Sequence, residues 1–365
     1  MVGGRIEWID LAKAVAIIAI IVGHFTAFFL TVLPAAGPVF RFMDSFHVPL
    51  FFLLSGFCMS APLGWERTLR LAKQCLVPYA FCGALCIVVC VFTVDGFRLE
   101  EHLFGFFYGA GAYRDHILFG DPAVVQSIGV LWFLPCLLFG KIFASLCLRL
   151  ERFARWLPLA AAFAMFMVGA LTAPLLFLPW DIQPALAAAW FICCGSMLGR
   201  YGVLERKGLR RGLQMAGALY VGAVTAGLFG DPMYCNSTYH QPVIDGIGCA
   251  CAAVLVMGAA RALERLPERI EHGLSWVGRN TLAIFCFHAI SLAPGDYLKW
   301  DLLGLVSAGA NPVLVLMGAL VIDAALSIFL AWAALRTPGI RRIFGGKKVA
   351  PCSSGSSRQR PSAAS

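Results

Sequence analysis

Long apolar runs, separated by short clusters of Lys, Arg, Gly and Pro, make up most of this chain. Runs near the roughly 20 residues needed to cross a bilayer fall at about 11–33, 45–62, 74–94, 127–148, 156–177, 184–199, 213–229, 243–260, 276–292 and 312–335. The pattern predicts an all-α, polytopic membrane protein of about ten transmembrane helices. One long stretch, 95–126, lies between runs and carries Phe104 to Tyr108 with His102, Arg114, Asp115, His116 and Asp121. It is expected to form a short interfacial helix and a loop over the entrance to a site. After Phe344 the chain turns to Gly, Ser, Arg and Pro, so 1–344 reads as the membrane domain and 345–365 as a disordered cytoplasmic tail. The first run is read as a retained helix rather than a signal peptide, because Glu7 and Asp10 make its leading region poorly basic.

Charge sets the orientation. Arg67, Arg70 and Lys73, then Arg149, Arg152 and Arg155, then Arg200, Arg206, Lys207, Arg210 and Arg211, then Arg261, Arg265 and Arg269 fall in alternate connections, and the opposite ones hold only Arg41, Arg98, Arg114 and Lys299. This positive-inside asymmetry predicts both termini in the cytoplasm. With 60% hydrophobic and 13% charged residues, the chain lies outside soluble globular composition. Its net charge of +9 is then an orientation signal with anionic lipid contact as a by-product, and nucleic acid is not an expected partner. The fourteen cysteines sit mostly singly within apolar runs, and neither Cys193-Cys194 nor Cys249-x-Cys251 has zinc-site spacing, so they read as small core residues and no metal is expected.

Ionisable residues inside the runs carry the candidate chemistry, since a charge at the centre of a membrane helix costs about 2.5–3.5 kcal/mol on insertion scales. Lys13 and His24 are eleven residues apart, which returns a helix to within about 20° of its starting face after a rise of about 16 Å. Asp10 lies close to the same stripe. One helix face thus presents carboxylate, ammonium and imidazole at different depths; the plainer reading is a snorkelling lysine and a histidine bonded to a neighbouring helix. His47 opens the second run near its outer end, as an interface histidine or a substrate contact, and Ser55-Gly56 would let another helix approach closely. Arg67 and Arg70 share one side of a helical segment and suit phosphate, although positive-inside charge alone would also put them there. His240, Asp231 and His116 lie on the side where an acceptor would arrive.

Several motifs together resemble the acyltransferase-3 superfamily of integral membrane acyltransferases, in particular its fucose 4-O-acetylase-like branch. They are Ile9-Asp10-Leu11-Ala12-Lys13 leading to His24, Phe46 to Phe57, the Arg67-x-x-Arg70 pair before Pro78-Tyr79, Leu131-Trp132-Phe133-Leu134, and Gly278-Arg279-Asn280-Thr281 leading to His288. The family pattern has a basic residue, ten intervening residues and a histidine on its first helix; Lys13 stands where many members have arginine, and Ala14 replaces the usual glycine. The resemblance implies an enzyme that moves an acetyl group from cytoplasmic acetyl-CoA to a hydroxyl of an exported sugar or envelope glycan.

On that reading His24, Lys13 and Asp10 are the catalytic group, and Arg67, Arg70 and Lys13 bind the acetyl-CoA co-substrate. His47, His288 and Arg279 are candidate substrate contacts. An imidazole with a reference pKa near 6.5 suits proton removal from a hydroxyl at neutral pH. Direct attack by the acceptor and an acyl-enzyme relay are both open. The expected setting is the cell (inner) membrane, with lipid, a glycan acceptor and envelope-assembly proteins as partners. The same residues also suit a proton-coupled transporter or flippase of an envelope precursor, although no internal repeat is evident and this weakens that alternative. A purely structural envelope partner would instead make Lys13 and His24 dispensable.

Overall fold

The computed structural model of the protein describes residues 6–59, 61–117 and 122–344. The tail predicted over 345–365 and Asp121 of the long connection lie outside the described residues. The chain begins with α1 (Glu7–Phe28), a short α2 (Ala36–Asp44), α3 (His47–Phe57), the long α4 (Trp65–Thr93) and α5 (Leu99–Tyr108). A small antiparallel pair follows, β1 (Arg114–His116) with β2 (Pro122–Val125). Next come α6 (Phe133–Leu148), α7 (Leu157–Thr172), α8 (Ile182–Arg200), α9 (Lys207–Thr225), α10 (Pro242–Leu263), α11 (Glu268–Arg279), α12 (Thr281–Ser291), α13 (Asp296–Ser307), α14 (Pro312–Arg336) and α15 (Pro338–Phe344).

The architecture is helical, as the apolar runs predict. Among the described residues, six helical stretches are long and apolar enough to cross a membrane: those built on α1, α4, α6, α8, α10 and α14. α12 and α13 together pass the same test but are bent by 69° at their junction. The other three predicted spans fall on α3, with 11 residues, α7, with 16, and α9, whose first turns carry Lys207, Arg210 and Arg211.

Local sequence explains where these helices start and pack. Pro242 and Pro312 occupy first turns, where the missing N–H is no loss, and Asn311 caps α14 by accepting from the amides of Val313 (2.9 Å) and Leu314 (3.3 Å). α8 runs through the core against α3, α6 and α7. A side-chain carbon at Gly56 would overlap the Ile192 carbonyl, and one at Gly195 would overlap the Leu53 carbonyl. The backbones of α3 and α8 therefore touch, as Ser55-Gly56 suggests. Small residues are favoured at membrane helix interfaces because helices there associate through such packing contacts.

The long connection contains the expected short helix, α5, whose last turn packs beside the middle of α4. Tyr79 donates to the Phe106 carbonyl (2.6 Å) and stacks on the Phe106 ring with centroids 5.1 Å apart. Farther along, the Gly111 amide donates to the buried Asp181 (3.2 Å). This bond secures the turn in which Trp180 and Asp181 take left-handed φ angles of 59° and 54°, a costly conformation for residues with a Cβ.

Candidate active site

Three helices far apart in sequence bring His24, His288 and Asp323 into one line of contacts. α1 is a continuous helix, so His24 stands about 16 Å along it from Lys13. α11 stops at Arg279, Asn280 leaves helical geometry, and the short α12 starts afresh with His288 on its last full turn. α14 is apolar along most of its length and carries Asp323 near its middle.

The Nε2 of His288 lies 3.0 Å from Nδ1 of His24, and Nδ1 of His288 lies 2.7 Å from Oδ2 of Asp323. The two imidazoles stack, with planes 16° apart. Ser291 donates its hydroxyl toward both the His288 carbonyl (2.8 Å) and Oδ1 of Asp323, so each carboxylate oxygen has a partner. His288 is wholly buried and Asp323 nearly so, whereas His24 is half-buried. The reachable end of the line is His24.

Donor and acceptor chemistry fixes the direction of these bonds. An ionised Asp323 only accepts, so Nδ1 of His288 donates to it. A neutral His288 then offers a lone pair at Nε2, and Nδ1 of His24 donates into it. That leaves Nε2 of His24 as a free basic nitrogen. The arrangement is a carboxylate–imidazole pair extended by a second imidazole, and it can hold a proton taken up at His24 by spreading the positive charge toward Asp323.

His47 opens α3, which packs against α1. Its Nδ1 is 2.8 Å from the Met43 carbonyl and 3.7 Å from Oδ1 of Asp44, and its ring meets Tyr234 edge-on. Tyr234 in turn donates to the Asp44 carbonyl (3.0 Å). Beyond it, in the connection between α9 and α10, burial pushes the Asp231 carboxyl above its usual range, partly offset by Arg41 and His240. α2 and α3, which carry Met43, Asp44 and His47, pack against α1, with Met43 beside Gly23.

The other predicted residues stand apart from this line. Lys13 pairs with Asp10 at 3.8 Å and is one-third exposed. A side-chain carbon at Gly278 would overlap the Asp10 carbonyl, so the neighbouring, exposed Arg279 belongs to the Lys13 end of α1 rather than to the His288 end. Arg67 and Arg70 are exposed on the first turns of α4, and neither joins an ion pair among the described residues. Asp323 and Ser291 were not singled out from the sequence. A lone carboxylate in the middle of an apolar membrane run was the available signal, by the same reasoning that singles out His24.

The comparison with known families agrees with the motifs. A model of an acyltransferase domain, that of acyltransferase family 3, matches residues 6–335. No curated protein and no solved structure matches the chain. The match covers nearly the whole helical body, including His24, His288 and Asp323, and the chain belongs to the acyltransferase-3 superfamily of membrane acyltransferases.

Proposed function

We propose that this protein is a multi-pass O-acetyltransferase of the cell membrane, of the fucose 4-O-acetylase-like branch, which moves acetyl from cytoplasmic acetyl-CoA to a hydroxyl of an exported sugar or envelope glycan. The observation that carries the reading is the Asp323–His288–His24 line ending in the half-buried His24. Nε2 of His24 takes the proton of the acceptor hydroxyl as its oxygen attacks, and His288 with Asp323 stabilises the resulting imidazolium. When the thiolate leaves, His24 returns that proton to it. His24 is the catalytic residue, and His288 and Asp323 position it.

Acetyl-CoA supplies the activated acetyl group as a co-substrate. Lys13, Arg67 and Arg70 fit it by charge, because its phosphates need cations, and Arg279 lies at the same end as Lys13. Ten spans with both termini cytoplasmic put these four cations on the donor side and His47 with Asp231 on the acceptor side. Asp10 holds Lys13 in place. Envelope-assembly proteins would present the acceptor. A transporter built on the same ionisable residues is the less favoured reading, since membership of an acyltransferase family gives it no support.

The test is thiol release from labelled acetyl-CoA in inverted membrane vesicles containing the protein. Turnover that is lost in His24→Ala at unchanged membrane level is the expected result. Full turnover in that variant would overturn the role of His24.

A further inference from the structure

A cleft of about 580 Å³ opens between α7, α8, α9 and α10. Its body is apolar, lined by Trp190, Cys194, Met197, Ile247 and Val254, and its mouth carries Arg155, Tyr201 and Arg206. The size suits a ligand rather than a packing defect. From Trp190 to Tyr201 the backbone rises about 16 Å, roughly half of a hydrocarbon core of about 30 Å. The slot is therefore one leaflet deep.

The charges at the mouth are uneven. Arg200 is neutralised by Glu151 at 2.5 Å, and Tyr201 donates to the other oxygen of the same carboxylate. Arg155 and Arg206 have no carboxylate partner among the described residues, and both are exposed. Arg155 lies 5.9 Å from the centre of the Tyr201 ring. Two unpaired guanidiniums above an apolar slot are complementary to an anionic head on acyl chains, and basic pockets between membrane helices bind such head groups.

We propose that this cleft binds one anionic glycerophospholipid, with its acyl chains along α8 and α10 and its phosphate between Arg155 and Arg206. The site lies in the cytoplasmic leaflet. This assignment rests on the orientation that puts the arginine-rich connections in the cytoplasm, and it is independent of the transferase chemistry.

The full chain, purified in mild detergent, is photolabelled with a phosphatidylglycerol carrying a diazirine in one acyl chain, and the labelled peptides are mapped by mass spectrometry. Label is expected between Trp190 and Leu198 and between Ile247 and Val254. Unlabelled phosphatidylglycerol should compete on the order of tenfold better than phosphatidylcholine, each arginine contributing a factor of about three to five. Arg155→Gln with Arg206→Gln should reduce that preference to about twofold or less, whereas the equal-charge control Arg152→Gln with Arg211→Gln should leave it intact. Label elsewhere, equal competition by the two lipids, or equal loss in both double variants would overturn the proposal. The wild-type mapping and competition decide it even if a variant fails to fold.

Discussion

Asp323 accepts from both His288 and Ser291 in the most apolar of the long helices, so replacing its charge with an amide of the same shape is the sharpest probe at the scale of single residues. Asp323→Asn should lower kcat by about 10²–10⁴-fold with KM for acetyl-CoA within about threefold, and Asp323→Glu should recover part of the loss. Steady-state kinetics at matched membrane level checks this, and a change confined to KM would count against a relay. Asp231 gives a pH signature. Burial raises its carboxyl pKa in the folded protein, so its contribution to stability is fully present below the unfolded value of about 3.9 and is lost as pH rises through the folded value. Asp231→Asn should therefore raise the melting temperature at pH 7 and leave it nearly unchanged near pH 4, as read by thermal unfolding of the purified protein. His24 was legible from its spacing to Lys13. Its partners were less so, because a hydrogen bond spanning 264 residues leaves no local period in the sequence.

Among the elements, the contact of α3 with α8 sets the packing of the core, and it depends on two glycines whose missing side chains let backbone carbonyls come close. Gly195→Val should abolish the monodisperse peak in detergent size exclusion, whereas Gly64→Ala, with open space around it at the start of α4, should leave the peak unchanged. Ser55-Gly56 announced one side of this contact, because small residues in an apolar run have a packing meaning of their own. The partner was not readable, since Gly195 is one of several small residues in α8. Hydropathy located the helical runs well, and the short helix α5 was expected in the long connection, but its packing partner was not readable. That helix is held against α4 by the Tyr79 bond and aromatic stacking, which are tertiary contacts without a window of apolar residues to mark them.

Across the whole molecule, the distance along α1 separates two tasks. In the proposed function Lys13, Arg279, Arg67 and Arg70 are assigned to the donor, and His24 to proton transfer about 16 Å farther along the helix. Arg67→Ala and Arg70→Ala should each raise KM for acetyl-CoA by about three- to tenfold with little change in kcat, because an exposed cation on a phosphate contributes to binding rather than to the transition state. A fall in kcat with unchanged KM would move these residues out of the donor site. The central claim is that His24, His288 and Asp323 act as one unit, and a double-mutant cycle on acetyl transfer in inverted vesicles tests it most directly. If they form a relay, His24→Ala combined with Asp323→Asn should be no slower than His24→Ala alone, as residues that act together are strongly non-additive. Multiplying effects, with the double variant slower by the product of the two single losses, would contradict the relay.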